Sequence, residues 1–109
     1  MATRTSILGR GNFLAAGFQT LFTVPAGETW ILKRIDAINN AGATQTVQLI
    51  ARDPTNVISA VLLNASYASG VGGALELWFV LQGGDTLRGS LSVGNVGIWL
   101  SGSRLVGVA

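Results

Sequence analysis

The sequence predicts an all-β domain, a single antiparallel β-sandwich of about eight strands. Three observations carry this. Apolar residues recur at every second position in successive runs, which is the spacing of a half-buried strand. Gly, Pro, Asn and Asp clusters interrupt those runs about every 8–12 residues. No segment shows the helical period over even three turns.

Met1–Gly17 is only partly patterned, with glycines at 9, 11 and 17. An extended N-terminal arm over residues 1–17 is expected, with a short strand near Thr3–Leu8. Residues 18–109 form the sandwich. Ile7, Leu8, Phe13 and Leu14 are too apolar to stand in water, so the arm should dock somewhere, on its own subunit or on a neighbour. Phe18–Val24 alternates as a strand, and Pro25-Ala26-Gly27 ends it in a turn that Pro and Gly favour. Glu28–Asn40 is the longest candidate, but its alternation breaks: Trp30 and Leu32 share one side, while Ile31, Ile35 and Ala37 share the other. Either both faces are covered or a bulge near Lys33-Arg34 switches sides.

Asn39–Gly42 is a turn, and Thr44–Arg52 follows with Val47, Leu49 and Ala51 inward. Asp53–Asn56 turns the chain again. Val57–Tyr67 places Val61, Leu63, Ala65 and Tyr67 on one face. In Ala74–Val93 the pattern is clearest. Leu75, Leu77, Phe79 and Leu81 oppose Glu76, Trp78, Val80 and Gln82, and after Gly83-Gly84-Asp85 a second run sets Leu87, Leu91 and Val93 against Thr86, Arg88, Ser90 and Ser92. Glycines tolerant of positive φ at the junction predict a hairpin. Val96–Leu100 points Val96, Ile98 and Leu100 inward and Trp99 outward; Arg104–Val108 adds a last short strand after Ser101-Gly102-Ser103.

Composition narrows the function. Charged residues make up 11% of the chain, against roughly 25% in ordinary soluble domains. So small a domain cannot cover its outside with ionic groups, and part of that outside is expected to bury against a neighbour. The net charge of +2 is scattered, with Lys33-Arg34 the only adjacent like pair. Nucleic-acid binders carry a basic stripe, and this chain has none. Cysteine and histidine are both missing, which removes disulfides, thiolate metal sites and the usual general base. The expectation is therefore no enzyme, no cofactor and no metal. No apolar run reaches the roughly 18–20 residues of a membrane helix, and no signal peptide is recognisable.

Val24-Pro-Ala-Gly-Glu-Thr-Trp30 and Leu81-Gln-Gly-Gly-Asp-Thr-Leu87 repeat one pattern: a strand end, a turn ending in Gly, an acid, Thr, then a strand start. The carboxylate can accept backbone N–H bonds and hold such a corner. A paired acid site of Glu28 and Asp85 would need a nucleophile, base or third ligand that the surroundings do not offer. The repeat is expected to mark equivalent corners.

The Gly84–Leu87 corner resembles that of cupin-like jelly rolls, but their metal site needs histidines that this chain lacks. A broader likeness covers almost the whole chain. Phe22–Leu32, Asn39, Leu81–Leu87 and Leu100–Leu105 together resemble small jelly-roll structural proteins of tailed bacteriophages, which serve as capsid decoration (cement) proteins or as tail and fibre modules. The resemblance implies a jelly roll, a place in the virion after assembly in the host cytoplasm, and a homo-oligomer, often a trimer. Its partners would be a major capsid protein or another virion protein. It assigns no binding residue.

Trp30, Trp78 and Trp99 suit interface anchoring, since an indole buries much area and keeps a polar N–H. The expected contact surface is Trp78, Val80 and Trp99, with Glu76 and Arg88 (and Arg52) as a polar rim and Ile7, Leu8 and Phe13 contributed by the arm. Covering of Trp78 and Trp99 by a second sheet or by the arm within one subunit is the alternative. A third reading is a sugar-binding jelly roll, its indoles stacking on sugars with polar contacts from loops at Asn39, Asn40, Asp53 or Asn95.

Overall fold

A computed structural model describes residues 5–55 and 59–107. Residues 3–4, 56–58 and 108, which the sequence assigned to strands or a turn, lie outside the described residues. The described residues form eight strands: β1 (Thr5–Phe13), β2 (Gly17–Thr23), β3 (Glu28–Asn39), β4 (Gln45–Arg52), β5 (Ser59–Tyr67), β6 (Gly72–Gln82), β7 (Thr86–Leu91) and β8 (Val96–Val106). A front sheet has the order β1-β8-β3-β6 and a back sheet the order β2-β7-β4-β5. All pairs are antiparallel. The fold class expected from the sequence is the one observed.

The topology is a folded hairpin. The chain doubles back between β4 and β5, and each outer pair closes over it: β3 on β6, β2 on β7, β1 on β8. This is the jelly-roll winding. Only β4 and β5 are consecutive strands that pair in one sheet. The tight hairpin expected for β6 and β7 is therefore corrected: β6 belongs to the front sheet and β7 to the back. Their Gly83–Asp85 connection crosses between layers: β6 pairs with β3, β7 pairs with β2 and β4, and the apolar faces of the two strands meet across the core.

That crossing lies beside the β2–β3 crossing at Val24–Glu28. Val24 N–H donates to Asp85 O (2.9 Å) and Gly84 N–H to Val24 O (2.9 Å). The two repeated motifs are thus neighbouring corners running in opposite directions. Asp85 holds its corner, its Oδ2 accepting from Gln82 N–H at 2.8 Å. Glu28 acts differently. Its Oε1 accepts from Trp30 Nε1 (3.0 Å) and meets Arg104 Nε (3.2 Å), and the Arg104 guanidinium lies over the Trp30 ring. Trp30 is a core residue.

Bulges decide which side chains enter the core. At β3 the register skips Lys33 against β8. Trp30 and Leu32 point inward before it, and Ile35, Ala37 and Asn39 after it. Of the two explanations the sequence left open, the bulge is observed. At β5 the register skips Leu62, which turns Val61 outward (58% exposed) while Leu63 and Tyr67 pack on the core. Val61 therefore does not share their face. On β1 the skipped residue is Leu8, which drops into the core between outward Ile7 and inward Gly9. β8 runs unbroken through Gly102, where the sequence suggested a loop.

The core holds two buried amides where the chain crosses between sheets. Asn39 Oδ1 accepts from Ala41 N–H (2.9 Å) and Gln45 Nε2 (2.6 Å), and its Nδ2 donates to Ala43 O (2.8 Å) and Tyr67 O (2.9 Å). Gln45 Nε2 also donates to Gly94 O (2.7 Å), while its Oε1 accepts from Gly94 N–H and Val93 N–H. Each amide uses every donor and acceptor it has.

Burial raises the Tyr67 phenol above its ordinary value of 10.0. The folded state favours the protonated ring, so this contribution is intact below that value and is lost as pH rises past it. Denaturant midpoints measured across alkaline pH should fall there, and Tyr67→Phe should reduce the fall.

A candidate docking face and trough on the front sheet

Four strands present their outer residues in rows set by the register. One row is Arg10–Trp99–Asp36–Ala74, and the next is Asn12–Gly97–Ile38–Gly72. Toward the opposite end of the strands, Ile7, Ser101, Arg34 and Glu76 form a further row. Trp78 and Val80 follow on edge strand β6. Trp78 is 67% exposed, Val80 47% and Trp99 41%. These are large apolar side chains on one sheet face, where a sheet facing water alone would carry polar groups.

Each indole carries a cation. Arg10 lies 5.0 Å from the Trp99 ring centre and Lys33 lies 5.0 Å from that of Trp78. The cations pin the rings without covering them. Arg34 spans the face to Asp36, its Nε and Nη2 at 3.1 Å from the carboxylate, and reaches Glu76 only at 4.0 Å. The Asp36 contact, foremost through its hydrogen bonds, raises the Arg34 guanidinium pKa further.

The structure divides the residues expected to form one contact surface. Ile7, Glu76, Trp78, Val80 and Trp99 share the front face. Leu8 is buried in the core, and Phe13 packs against the core edge-on to Phe22, their centres 5.5 Å apart. Arg88 and Arg52 lie on the back sheet, stacked on Phe18 at 5.6 and 5.1 Å. A rim joining Arg88 to Trp78 within one subunit is therefore corrected, because β6 and β7 are in different layers.

Beside Trp99 the front face sinks into a trough of about 880 Å³ that crosses all four strands. Arg10, Trp99, Asp36 and Ala74 line it from one row and Asn12, Gly97, Ile38 and Gly72 from the next, with Asn40 beyond. Sequence reasoning did not find this trough, because its lining comes from four separated strands and includes small residues that leave no local pattern. Among the described residues no group of three or more His, Cys, Asp or Glu could hold a metal ion.

No protein-family model matches the sequence, and no curated protein matches it. Solved structures do. A chain of the T13 viral particle of IBDV is 11% identical over 94% of this chain, with a TM-score of 0.54, and this chain spans 30% of its length. A chain of Bacillus endospore appendages, described as disulfide-linked pili, is 11% identical over 98% of this chain and 88% of its own, with a TM-score of 0.53. A pentameric capsid protein from metagenomic phage sequences is 14% identical, with a TM-score of 0.43. At these identities, the first two establish a shared fold, a β-sandwich used in a virus particle and in a pilus.

Proposed function

We propose that this chain is a non-enzymatic structural module of a virus particle, a capsid decoration protein that joins its own copies and a major capsid protein through the front sheet. The exposed apolar face around Trp78 and Val80 carries this reading, in a chain too poor in charge to hydrate its whole surface. The fold shared with a virus-particle chain supports it. Four strands about 4.8 Å apart and about ten residues long give a face of roughly 600 Å². Two such faces together reach the lower end of stable interfaces, about 1,200 Å². A trimer with such contacts would resist separation of capsomers by the apolar area that must be exposed first.

A second reading, a repeating subunit of a tail, fibre or other filament, draws support from the near full-length likeness to the pilus chain. Light scattering after size exclusion, with negative-stain microscopy, tests both. A closed trimer or ring is expected for the decoration protein and open fibres for the filament subunit, since head-to-tail contacts that do not close make fibres. A monomer at micromolar concentration would overturn both. Trp78→Glu is expected to dissociate the assembly while circular dichroism stays β-like, because the side chain projects from the sheet rather than into the core.

A further inference from the structure

We infer that the trough across the front sheet binds a neutral, linear oligosaccharide, a role beyond the assembly function and exercised by copies whose front face is not docked. Its shape comes from glycines. A Cβ at position 97 would stand in the trough, 3.0 Å from Ile38 Cγ2, 3.5 Å from Asn40 Nδ2 and 3.8 Å from Asn12 Oδ1. With hydrogen there instead, the space beside Ile38 stays open, in a trough lined from β1, β8, β3 and β6. Three strand spacings of about 4.8 Å make it about 15 Å long, enough for a short chain of sugar rings.

The lining fits a ligand with flat C–H faces and hydroxyl edges. Trp99 supplies a ring fixed by Arg10. Beyond it, three asparagines brace one another: Asn12 Nδ2 donates to Asn95 Oδ1 (3.0 Å), Asn40 Nδ2 to Asn12 Oδ1 (3.1 Å), and Asn95 Nδ2 to Asn40 O (3.0 Å). Those amides are held in place with capacity to spare. Asn12 and Asn40 each keep a second N–H, and Asn40 Oδ1 receives no hydrogen bond among the described residues. Arg10 adds guanidinium donors that no acidic side chain occupies among the described residues. Donors and acceptors thus stand beside apolar lining residues.

Other occupants fit less well. Arg10 is the one cation in the lining and Asp36, already paired with Arg34, the one acid, so an anion would meet a single guanidinium with no second cation to clamp it. A hydrocarbon tail would strip water from Arg10 and Asp36. A polypeptide adding as a strand needs a row of free backbone groups at a sheet edge, whereas the trough crosses strands already paired on both sides at β8 and β3.

Calorimetry and tryptophan emission with maltotriose, cellotriose and N-acetylchitotriose, beside a microarray of bacterial-surface and animal glycans, test the assignment. Saturable binding at millimolar concentration or tighter is expected. Arg10→Ala, Trp99→Ala and Gly97→Val should each weaken it by about tenfold or more, while Trp78→Ala, outside the trough, binds as the parent does. Arg10 is exposed and outside the core, so its variant keeps the fold even if Trp99→Ala does not. Absence of binding to every probe and array glycan overturns the inference. So does binding that survives Gly97→Val and Arg10→Ala, or a trough that takes extended peptides in place of sugars. A monomeric protein that still binds sugar would refute the assembly reading alone.

Discussion

Asn39→Ala should lower the unfolding free energy by about 3 kcal/mol or more, since each orphaned buried polar group costs about 1–3 kcal/mol. The substitution leaves Ala41 N–H, Ala43 O, Tyr67 O and one Gln45 N–H without their partner. Asn39 is fully buried, so water cannot replace it without opening the crossing between sheets. A fall in melting temperature of roughly 15 °C follows for a domain of this size. Urea denaturation followed by circular dichroism measures it. Asn64→Ala, on the exposed face of β5, should stay within about 0.5 kcal/mol of the parent. Equal effects at the two positions would show that the buried amides do not hold the layers together.

Gly102→Ala is expected to be at least as damaging. A Cβ there would be driven into the carbonyl oxygen of Ile31, closer than real atoms approach, with Lys33 N at 3.1 Å on the other side. Both obstacles are backbone, in the strand that β8 pairs with, and neither can rotate away. Relief requires β3 and β8 to part beside the Lys33 bulge, in the middle of the front sheet. Overpacking in a well-packed interior costs about 1–3 kcal/mol, occasionally more, and the lost strand pairing adds to that. Gly42→Ala, where nothing lies within 4 Å and φ is ordinary, should be nearly silent. Comparing the soluble yields and urea midpoints of the two variants decides the matter.

The legible parts of this fold were those where one face of a strand is buried and nothing interrupts the period. β4, β6 and the first half of β8 show it: Val47, Leu49 and Ala51, then Leu75 to Leu81, then Val96, Ile98 and Leu100 point inward as their spacing implies. Bulges hid the rest. One extra residue at Leu62 moved Val61 to the outside, and one at Leu8 moved that side chain from the expected contact surface into the core. Glycines hid β1, which is longer than the sequence suggested and reaches Phe13. Gly9 and Gly11 contribute no alternating side chain, yet a Cβ at either would meet the Phe22 or Phe13 ring at 2.7 or 3.1 Å. Proximity in sequence also misled: Trp78 and Arg88 are ten positions apart and lie on opposite outer faces. The trough had no signal at all, since no single strand contains more than a few of its residues.

Pairing of β1 with β8 brings Thr5 opposite Ser103, and β8 runs on to Val106, so both ends of the described chain lie at the end of the front sheet away from Gly97 and Gly72. Cargo joined at either terminus would hang there and leave the opposite end of the sheet open. The sandwich is in that sense a ready cassette: spliced into a loop of a larger host polypeptide, it would have both connections on one side.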